Sequence, residues 1–210
     1  MFTPFCARHT ERSFFLAKLS TRVWLEIALC AAIATVLDLF IPSPTFAVEV
    51  SVKMLPIIFL SLRRGWPAGM LGGFLWGLLQ VLLGDAYFLS IIQFLLEYFV
   101  AFALVGLAGL LVQPMQTTLV DQSQAYGKQI SLAIAALVTG SLARYLIHFL
   151  AGVWFWGSYA PEGQSPYLYS FLVNGGAFLS ETLTCAIVIA LLVKFYPRLI
   201  LVKNQGKSWT

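Results

Sequence analysis

Ionisable and amide side chains interrupt the most apolar parts of this chain. The segment RYLIHFLAGVWFWGSYAPEG, residues 144–163, begins with Arg144 and His148 and ends in an aromatic cluster and a Gly-Ser-Tyr turn. Two further apolar runs contain Glu97 and Asn174. Carboxylate, imidazole and amide groups bind polar ligands, and the first two also transfer protons. Because burying such groups in apolar surroundings is costly, we expect each of them to have a specific partner.

The composition of the chain indicates that these surroundings are a lipid bilayer. The 210 residues are 60% hydrophobic and 10% charged, whereas soluble domains carry about 25% charged residues. Several apolar stretches approach the length of about 20 residues that crosses a bilayer as a helix. The three cysteines, Cys6, Cys30 and Cys185, have no metal-ligand spacing. The sequence therefore predicts an all-α integral membrane protein, with no cofactor and no metal.

The apolar segments predict a bundle of six transmembrane helices. They cover residues 22–41, 52–62, 66–83, 88–112, 130–156 and 167–193. The second segment is too short for an ordinary crossing, and we expect a short, tilted or internally buried helix there. Proline and glycine mark the breaks, including Pro114 after the fourth segment. The predicted organisation is an arm at residues 1–21, a membrane domain with an outward-facing cavity at 22–196, and a basic tail at 197–210.

The distribution of lysine and arginine predicts the orientation of the bundle. Six crossings place both termini on one side, and that side collects most of the basic residues: Arg8, Arg12, Lys18, Arg22, Arg63, Arg64, Lys128, Lys194, Arg198, Lys203 and Lys207. The other side has only Lys53. Because positively charged flanks stay in the cytoplasm, both termini are predicted to be cytoplasmic. The net charge of +4 then reflects topology and anionic lipid, and it gives no reason to expect a nucleic acid partner.

With these directions, the polar side chains of four helices fall at one level in the outer half of the membrane. At about 1.5 Å of rise per residue, four side chains lie about 12 to 14 Å from the outer ends of their helices: Glu97, His148, Asn174 and Trp76. An ionisable residue inside a membrane is first a candidate for a functional site. We therefore predict a shared cavity for a small, planar, nitrogen-rich cation, because carboxylates and aromatic faces attract cations.

Deeper in the bundle, two opposite charges have depths that permit an ion pair. Arg144 lies about 18 Å and Glu181 about 22 Å below the outer surface. We expect them to pair and to close the cavity floor. Of the aromatic residues near the outer surface, Trp154 and Trp156 are two positions apart on a helix and must face different directions. One of the two is expected to face the cavity.

The motifs of energy-converting and hydrolytic enzymes are missing. A Gly206-Lys207-Ser208 run resembles the end of a nucleotide-binding loop, but Leu201 stands where its first glycine belongs. The sequence contains neither H-E-x-x-H nor G-x-S-x-G. An intramembrane enzyme that uses His148 and Glu97 as acid and base remains an alternative, although no nucleophile or metal set accompanies them. The favoured interpretation is a binding protein, not an enzyme, that depends on a separate source of energy.

Four segments carry a resemblance to a known family. They are SLRRGWPAGMLGGFLWGLLQ, LLEYFVAFALVGLAGL, RYLIHFLAGVWFWGSYAPEG and YLYSFLVNGG. The chain resembles the thiamine-specific substrate-binding subunits, or S-components, of energy-coupling factor (ECF) vitamin transporters, over about residues 25–194. The resemblance implies a six-helix bundle in a prokaryotic plasma membrane, with a vitamin site near the outer face under a loop between the first two helices. It also implies a transmembrane coupling subunit and two ATP-binding subunits as partners.

The resemblance also implies roles for individual residues. The substrate-binding positions of the family fall on Glu97, Tyr98, His148, Trp156, Tyr169, Asn174 and Trp76. A tryptophan of the first outer loop is replaced here by Phe46. On the first helix, Ala28 and Ala32 have the small-xxx-small spacing that lets helices approach closely, and in the family this surface faces the partner subunit. An S-component for another vitamin is the nearest alternative.

Overall fold

The computed structural model describes residues 20–40, 48, 50–84 and 86–202. Regular structure in these residues is helical. We label the helices α1 (Thr21–Phe40), α2 (Leu55–Arg64), α3 (Trp66–Leu82), α4 (Ile91–Asp121), α5 (Tyr126–Phe155), α6 (Pro166–Phe195) and α7 (Pro197–Ile200). The predicted all-α membrane fold is confirmed, whereas the orientation of the termini stays a prediction.

Within the described ranges, four helices are long and apolar enough to cross a membrane: α1, α4, α5 and α6. The apolar helix α3 is shorter, with 17 residues. Helix α2 has 10 residues and extends about 15 Å, half of a bilayer core. Its residues Ile57, Ile58 and Leu60 are fully buried. The second segment is therefore an internal helix, one of the arrangements that its length predicted.

Helix α4 is longer and less regular than the predicted span of residues 88–112. It begins with an α-helical turn, continues as a π-helix at Leu95–Val100, and contains a 3₁₀ segment at Val105–Leu111. Pro114 was expected to end this span, but an α-helix continues from Val112 to Asp121. The expectation was wrong because Pro114 lies in the first turn of that new α-helical segment, where a missing backbone N–H and a fixed φ are tolerated.

Glycines bring the backbones of α3 and α4 into direct contact. A Cβ atom added at Gly77 would overlap the carbonyl oxygen of Tyr98, and one added at Gly73 would overlap that of Phe102. On the facing helix, Gly106 leaves the same narrow clearance to the backbone at Met70. Such close approach maximises dispersion contacts where lipid supplies no hydrophobic drive between helices. It also fixes the position of the π-helical segment relative to α3.

The acidic residues of α1 are neutralised by residues of α2 and its preceding segment. Glu26 accepts hydrogen bonds from Arg64 at 2.5 and 2.6 Å and from Arg63 at 3.1 and 3.3 Å. At the other end of the helix, Asp38 pairs with Lys53 at 2.8 Å. Pairing of this kind lowers the cost of carrying charge on a largely apolar helix.

The chain after α6 packs back onto the membrane domain. Arg63 donates to the carbonyl oxygens of Leu199 and Leu201 at 2.5 and 2.9 Å. Gln116 donates to the carbonyl oxygen of Ile200 at 2.9 Å, and Ile200 is fully buried. The described part of the predicted tail, up to residue 202, is thus attached to α2 and α4.

Candidate functional site

A cavity of about 570 Å³ lies where α4 begins, α5 ends and α6 begins, which we call the cavity end of the bundle. It is lined by residues of these three helices, of the connection before α4 and of the connection between α5 and α6: Tyr87, Glu97, Tyr98, His148, Gly152, Trp156, Tyr159, Tyr169, Ser170, Val173 and Asn174. Its volume falls within the range of about 300–1,000 Å³ that holds small organic ligands.

The π-helical segment of α4 supplies a carboxylate and a phenol to the cavity. Glu97 and Tyr98 are consecutive residues, yet both line the wall. One Glu97 oxygen accepts a hydrogen bond from Trp156 Nε1 at 3.1 Å, and the other accepts one from the side-chain amide of Gln93. π-helical turns are rare and often occur at functional sites. The carboxylate is therefore held in one orientation beside the cavity.

Tyrosine side chains form the part of the cavity wall next to this carboxylate, near the connection between α3 and α4. The backbone N–H of Tyr87 donates to the hydroxyl of Tyr98 at 2.7 Å. The Tyr87 ring lies 5.1 Å from the Trp156 ring, whose other neighbour, Tyr159, is 5.4 Å away. A side-chain hydrogen bond with Tyr87 raises the pKa of Tyr159. The result is a wall of flat, electron-rich ring faces.

Helices α5 and α6 provide the opposite wall. The His148 ring lies 5.8 Å from the Tyr145 ring. Asn174 donates to the backbone oxygen and the hydroxyl of Ser170 at 3.2 and 3.1 Å, and Ser170 in turn donates to the Phe149 carbonyl oxygen at 2.7 Å. This chain of bonds fixes the amide of Asn174 at the cavity, because each donor has a defined acceptor.

The predicted ion pair lies beneath this cavity and is enclosed by aromatic rings. Arg144 Nη1 is 3.3 Å from Glu181 Oε2, and the Tyr145 hydroxyl donates to the same oxygen at 2.6 Å. The guanidinium lies 4.8 Å from the Phe102 ring and 5.0 Å from the Trp76 ring. Both charged side chains are almost fully buried. The pair and its aromatic surroundings keep a cation stable inside the bundle.

The structure brings six of the seven predicted substrate-binding residues to the cavity. Trp76 is the exception: it is fully buried in the core against Phe102, at 4.4 Å between ring centroids, and does not line the cavity. Its ring lies against the Arg144 guanidinium beneath the cavity, because the direction in which a side chain points depends on how α3 packs against its neighbours. Trp156 faces the cavity, whereas Trp154 is 63% exposed on the opposite side of the helix end.

Other positions of interest lie away from the cavity. Ala28 and Ala32 are exposed on the outward surface of α1. Phe46 and most of the predicted first outer loop lie outside the described residues, as do the predicted arm before residue 20 and the tail after residue 202.

Several residues at the cavity were not predicted from the sequence. Tyr87, Tyr159 and Ser170 line the cavity, and Gln93 binds the Glu97 carboxylate from behind. Gln93 had a recognisable signal, since an amide one helical turn from Glu97 in an apolar segment needs hydrogen-bond partners. The two tyrosines come from connections between helices, where no periodicity predicts direction.

The charge of the cavity favours a cationic or amine-bearing organic ligand. Among the described residues that line it, Glu97 is the one carboxylate, and neither lysine nor arginine is present. The described part of the chain also holds no cluster of three or more histidine, cysteine, aspartate or glutamate residues suited to a metal. A carboxylate among aromatic rings attracts a flat organic cation through charge, hydrogen bonds and ring faces.

The fold and the cavity together define a multi-pass membrane protein with a binding site for a small organic molecule. Comparison with known proteins identifies the family: residues 24–201 match the model of the thiamine transporter protein family, and the chain belongs to this family. It is therefore a multi-pass protein of the cell membrane.

Individual relatives cover nearly the whole chain. The chain is 39% identical over 193 residues to the thiamine transporter ThiT of Lacticaseibacillus paracasei, covering 90% of this chain and 94% of the relative. It is 36% identical over 180 residues to ThiT of Bacillus subtilis, covering 84% and 92%. A solved structure of ThiT from Listeria monocytogenes superposes with a TM-score of 0.81 at 35% identity, covering 86% of this chain and 98% of that one.

Proposed function

We propose that this protein binds thiamine and takes it up as the substrate-specific subunit of an ECF-type transporter. The observation that carries the proposal is the Glu97 carboxylate, held between Gln93 and Trp156 in a cavity of aromatic rings. Membership of the thiamine transporter protein family supports the same ligand.

The chemistry of thiamine matches the groups that line the cavity. Its aminopyrimidine offers N–H donors and ring nitrogens, which suit the Glu97 carboxylate and the Asn174 amide. Its thiazolium carries a fixed positive charge, which is attracted to the ring faces of Trp156 and its tyrosine neighbours. His148, Tyr98 and Tyr169 supply further polar contacts along the walls. These residues form the proposed binding site.

Binding to purified protein tests the ligand directly. Trp156 lies in the cavity wall, so a bound thiazolium is expected to quench tryptophan fluorescence. We expect quenching by thiamine at sub-micromolar concentration and none by riboflavin or biotin at the same concentrations. Quenching by riboflavin or biotin without quenching by thiamine would assign the protein to a different vitamin.

Uptake is proposed to require partner subunits that hydrolyse ATP. The sequence lacks a complete nucleotide-binding loop, and the S-components that it resembles work with a transmembrane coupling subunit and two ATP-binding subunits. The exposed Ala28 and Ala32 surface of α1 is the proposed contact with the coupling subunit, because small side chains permit close helix approach. The arm and the tail are proposed to lie in the cytoplasm, on the side of that machinery.

The protein is proposed to release its ligand chemically unchanged, as a transporter subunit and not as an enzyme. Thiamine recovered after prolonged incubation with the protein should have an unaltered mass. A time-dependent product that disappears in a Glu97→Gln variant would instead support the acid–base alternative with His148.

A further inference from the structure

Gln93 stands behind the cavity wall and takes no part in lining it. Its side chain is fully buried in the first turn of α4, one turn before Glu97. A buried amide is costly unless its donors and its acceptor are all bonded. The partners of Gln93 therefore show what this side chain organises.

The amide of Gln93 joins the connection before α4 to the Glu97 carboxylate. Its nitrogen donates to Glu97 and to the carbonyl oxygen of Tyr87, the latter at 3.2 Å. Its oxygen accepts from the backbone N–H of Leu89 at 3.0 Å. Both amide hydrogens and the amide oxygen are thus used. A single side chain fixes the backbone on both sides of Phe88 and one oxygen of Glu97.

The two residues that Gln93 binds, Glu97 and Tyr87, both contact Trp156. Glu97 accepts a second hydrogen bond from Trp156, and the Tyr87 ring lies against the Trp156 ring. Tyr87 also donates its backbone N–H to the hydroxyl of Tyr98. A shift of the Gln93 amide would consequently move the carboxylate and its neighbouring ring together.

We infer that Gln93 is a positioning residue for the binding site: its amide aims the Glu97 carboxylate and fixes the Tyr87 wall before the ligand arrives. This inference rests on the proposed function, in which Glu97 binds the ligand. Because the amide donates a hydrogen bond to Glu97, it favours the ionised form of this side chain, which accepts hydrogen bonds, over the protonated form. A site that is already ordered loses less conformational entropy when the ligand binds.

Gln93→Met is the variant that tests this role. Methionine has similar length and volume but neither donates to Glu97 nor accepts from Leu89. We expect the Kd for thiamine to rise by up to about tenfold, because a carboxylate that the amide no longer holds must be ordered when the ligand binds. The Kd is measured by fluorescence quenching on monodisperse protein.

Gln129→Met is the matched control. Gln129 is also a fully buried glutamine, and its amide donates to the carbonyl oxygens of Gln122 and Ser123 at the opposite end of the bundle. This variant should lower the melting temperature and leave the Kd for thiamine unchanged. A purely structural role for Gln93 predicts that both variants change only the melting temperature.

A double-mutant cycle connects the effect of Gln93 to Glu97. In a Glu97→Gln background no carboxylate remains to be aimed, so adding Gln93→Met should weaken binding by a much smaller factor than it does in the wild type. Equal factors in the two backgrounds would overturn the inference. If Gln93→Met does not fold, Gln93→Asn keeps the amide but shortens its reach by one methylene, and it should show the same non-additivity with Glu97→Gln.

The outcomes separate this inference from the proposed function. Wild-type protein that does not bind thiamine contradicts the proposed function itself. Wild-type protein that binds thiamine, together with a Gln93→Met variant of equal Kd, contradicts only the positioning role of Gln93.

Discussion

Among single residues, Glu97 is central to the cavity, because neighbouring side chains hold its carboxylate in place. Both oxygens of Glu97 accept hydrogen bonds, from Gln93 and from Trp156. The hydrogen bonds offset part of the cost of holding a charge in this partly buried position. The same carboxylate can then contribute a charge-assisted hydrogen bond to a ligand, which is stronger than a neutral one.

Glu97→Gln should weaken thiamine binding far more than Trp154→Phe. The first change removes the negative charge at the cavity wall and replaces a charge-assisted hydrogen bond, at a cost of about 1.5–3 kcal/mol. The second alters an exposed ring that faces away from the cavity. Titration of both variants with thiamine measures the difference, and equal affinities would show that Glu97 does not contact the ligand.

Arg144→Met should destabilise the fold although Arg144 does not line the cavity. The change leaves Glu181 buried without its cation, and breaking such a pair costs about 3–5 kcal/mol. Thermal unfolding in detergent measures the loss. Combining Arg144→Met with Glu181→Leu should recover part of the stability, because no unpaired charge remains. A double variant whose loss equals the sum of the single losses would contradict the pairing.

Among the helices, the contact between α3 and α4 determines where Glu97 and Tyr98 lie in the cavity wall. Gly77 and Gly73 of α3 lie against the carbonyl oxygens of Tyr98 and Phe102, respectively. These two oxygens lie within and just beyond the π-helical segment. Glu97 and Tyr98 therefore take their positions from a backbone contact that has no room for a larger residue.

Gly77→Ala should weaken both stability and thiamine binding. The new methyl group would overlap the Tyr98 carbonyl oxygen and push the π-helical segment away from α3. Overpacking of this kind costs about 1–3 kcal/mol. The matched control is Gly127→Ala in the first turn of α5, where an added Cβ meets nothing within 4 Å. The control should leave the Kd unchanged; if Gly77→Ala also binds normally, the contact does not position the site.

At the scale of the whole molecule, binding and energy supply are expected to reside in different chains. The cavity end of the bundle carries the polar side chains of the proposed binding site, whereas the long helices present apolar side chains such as Leu183 and Ile187 on their exposed faces. The proposed coupling surface on α1 lies outside the lining of the cavity. A change on that surface can therefore block transport without altering the cavity.

Replacing Ala28 and Ala32 together by tryptophan should leave thiamine binding intact and abolish uptake. Two indoles prevent the close approach of a partner helix, so co-purification with the coupling subunit and the ATP-binding subunits should also be lost. Leu183→Trp with Ile187→Trp, on an exposed face of α6, serves as the matched control and should retain uptake. Thiamine accumulation by liposomes that contain this chain alone, without ATP, would contradict the dependence on partners.

Composition and hydropathy predict the class of the protein, and residue type and spacing predict several of the side chains that line its cavity. A chain with 60% hydrophobic residues and long apolar runs satisfies its backbone hydrogen bonds in a bilayer only as helices or as a closed barrel, and the lengths of the runs favour helices. The rarity of Glu97, His148 and Asn174 in such runs marked them as candidates, because polar side chains in lipid are expensive. Counting residues along each helix then gave their common level.

The direction of each side chain and the path of the fourth helix are set by packing between helices. Trp76 was predicted to line the cavity but is buried in the core, since α3 packs closely against α4 through its glycines. The π-helical turn at Leu95–Val100 turns two consecutive residues toward one cavity, and the periodicity of an ideal helix does not contain it. Tyr87 is held at the cavity by backbone hydrogen bonds with the side chains of Gln93 and Tyr98. These features follow from contacts between segments that are distant in sequence and from irregular backbone, neither of which local spacing along the chain specifies.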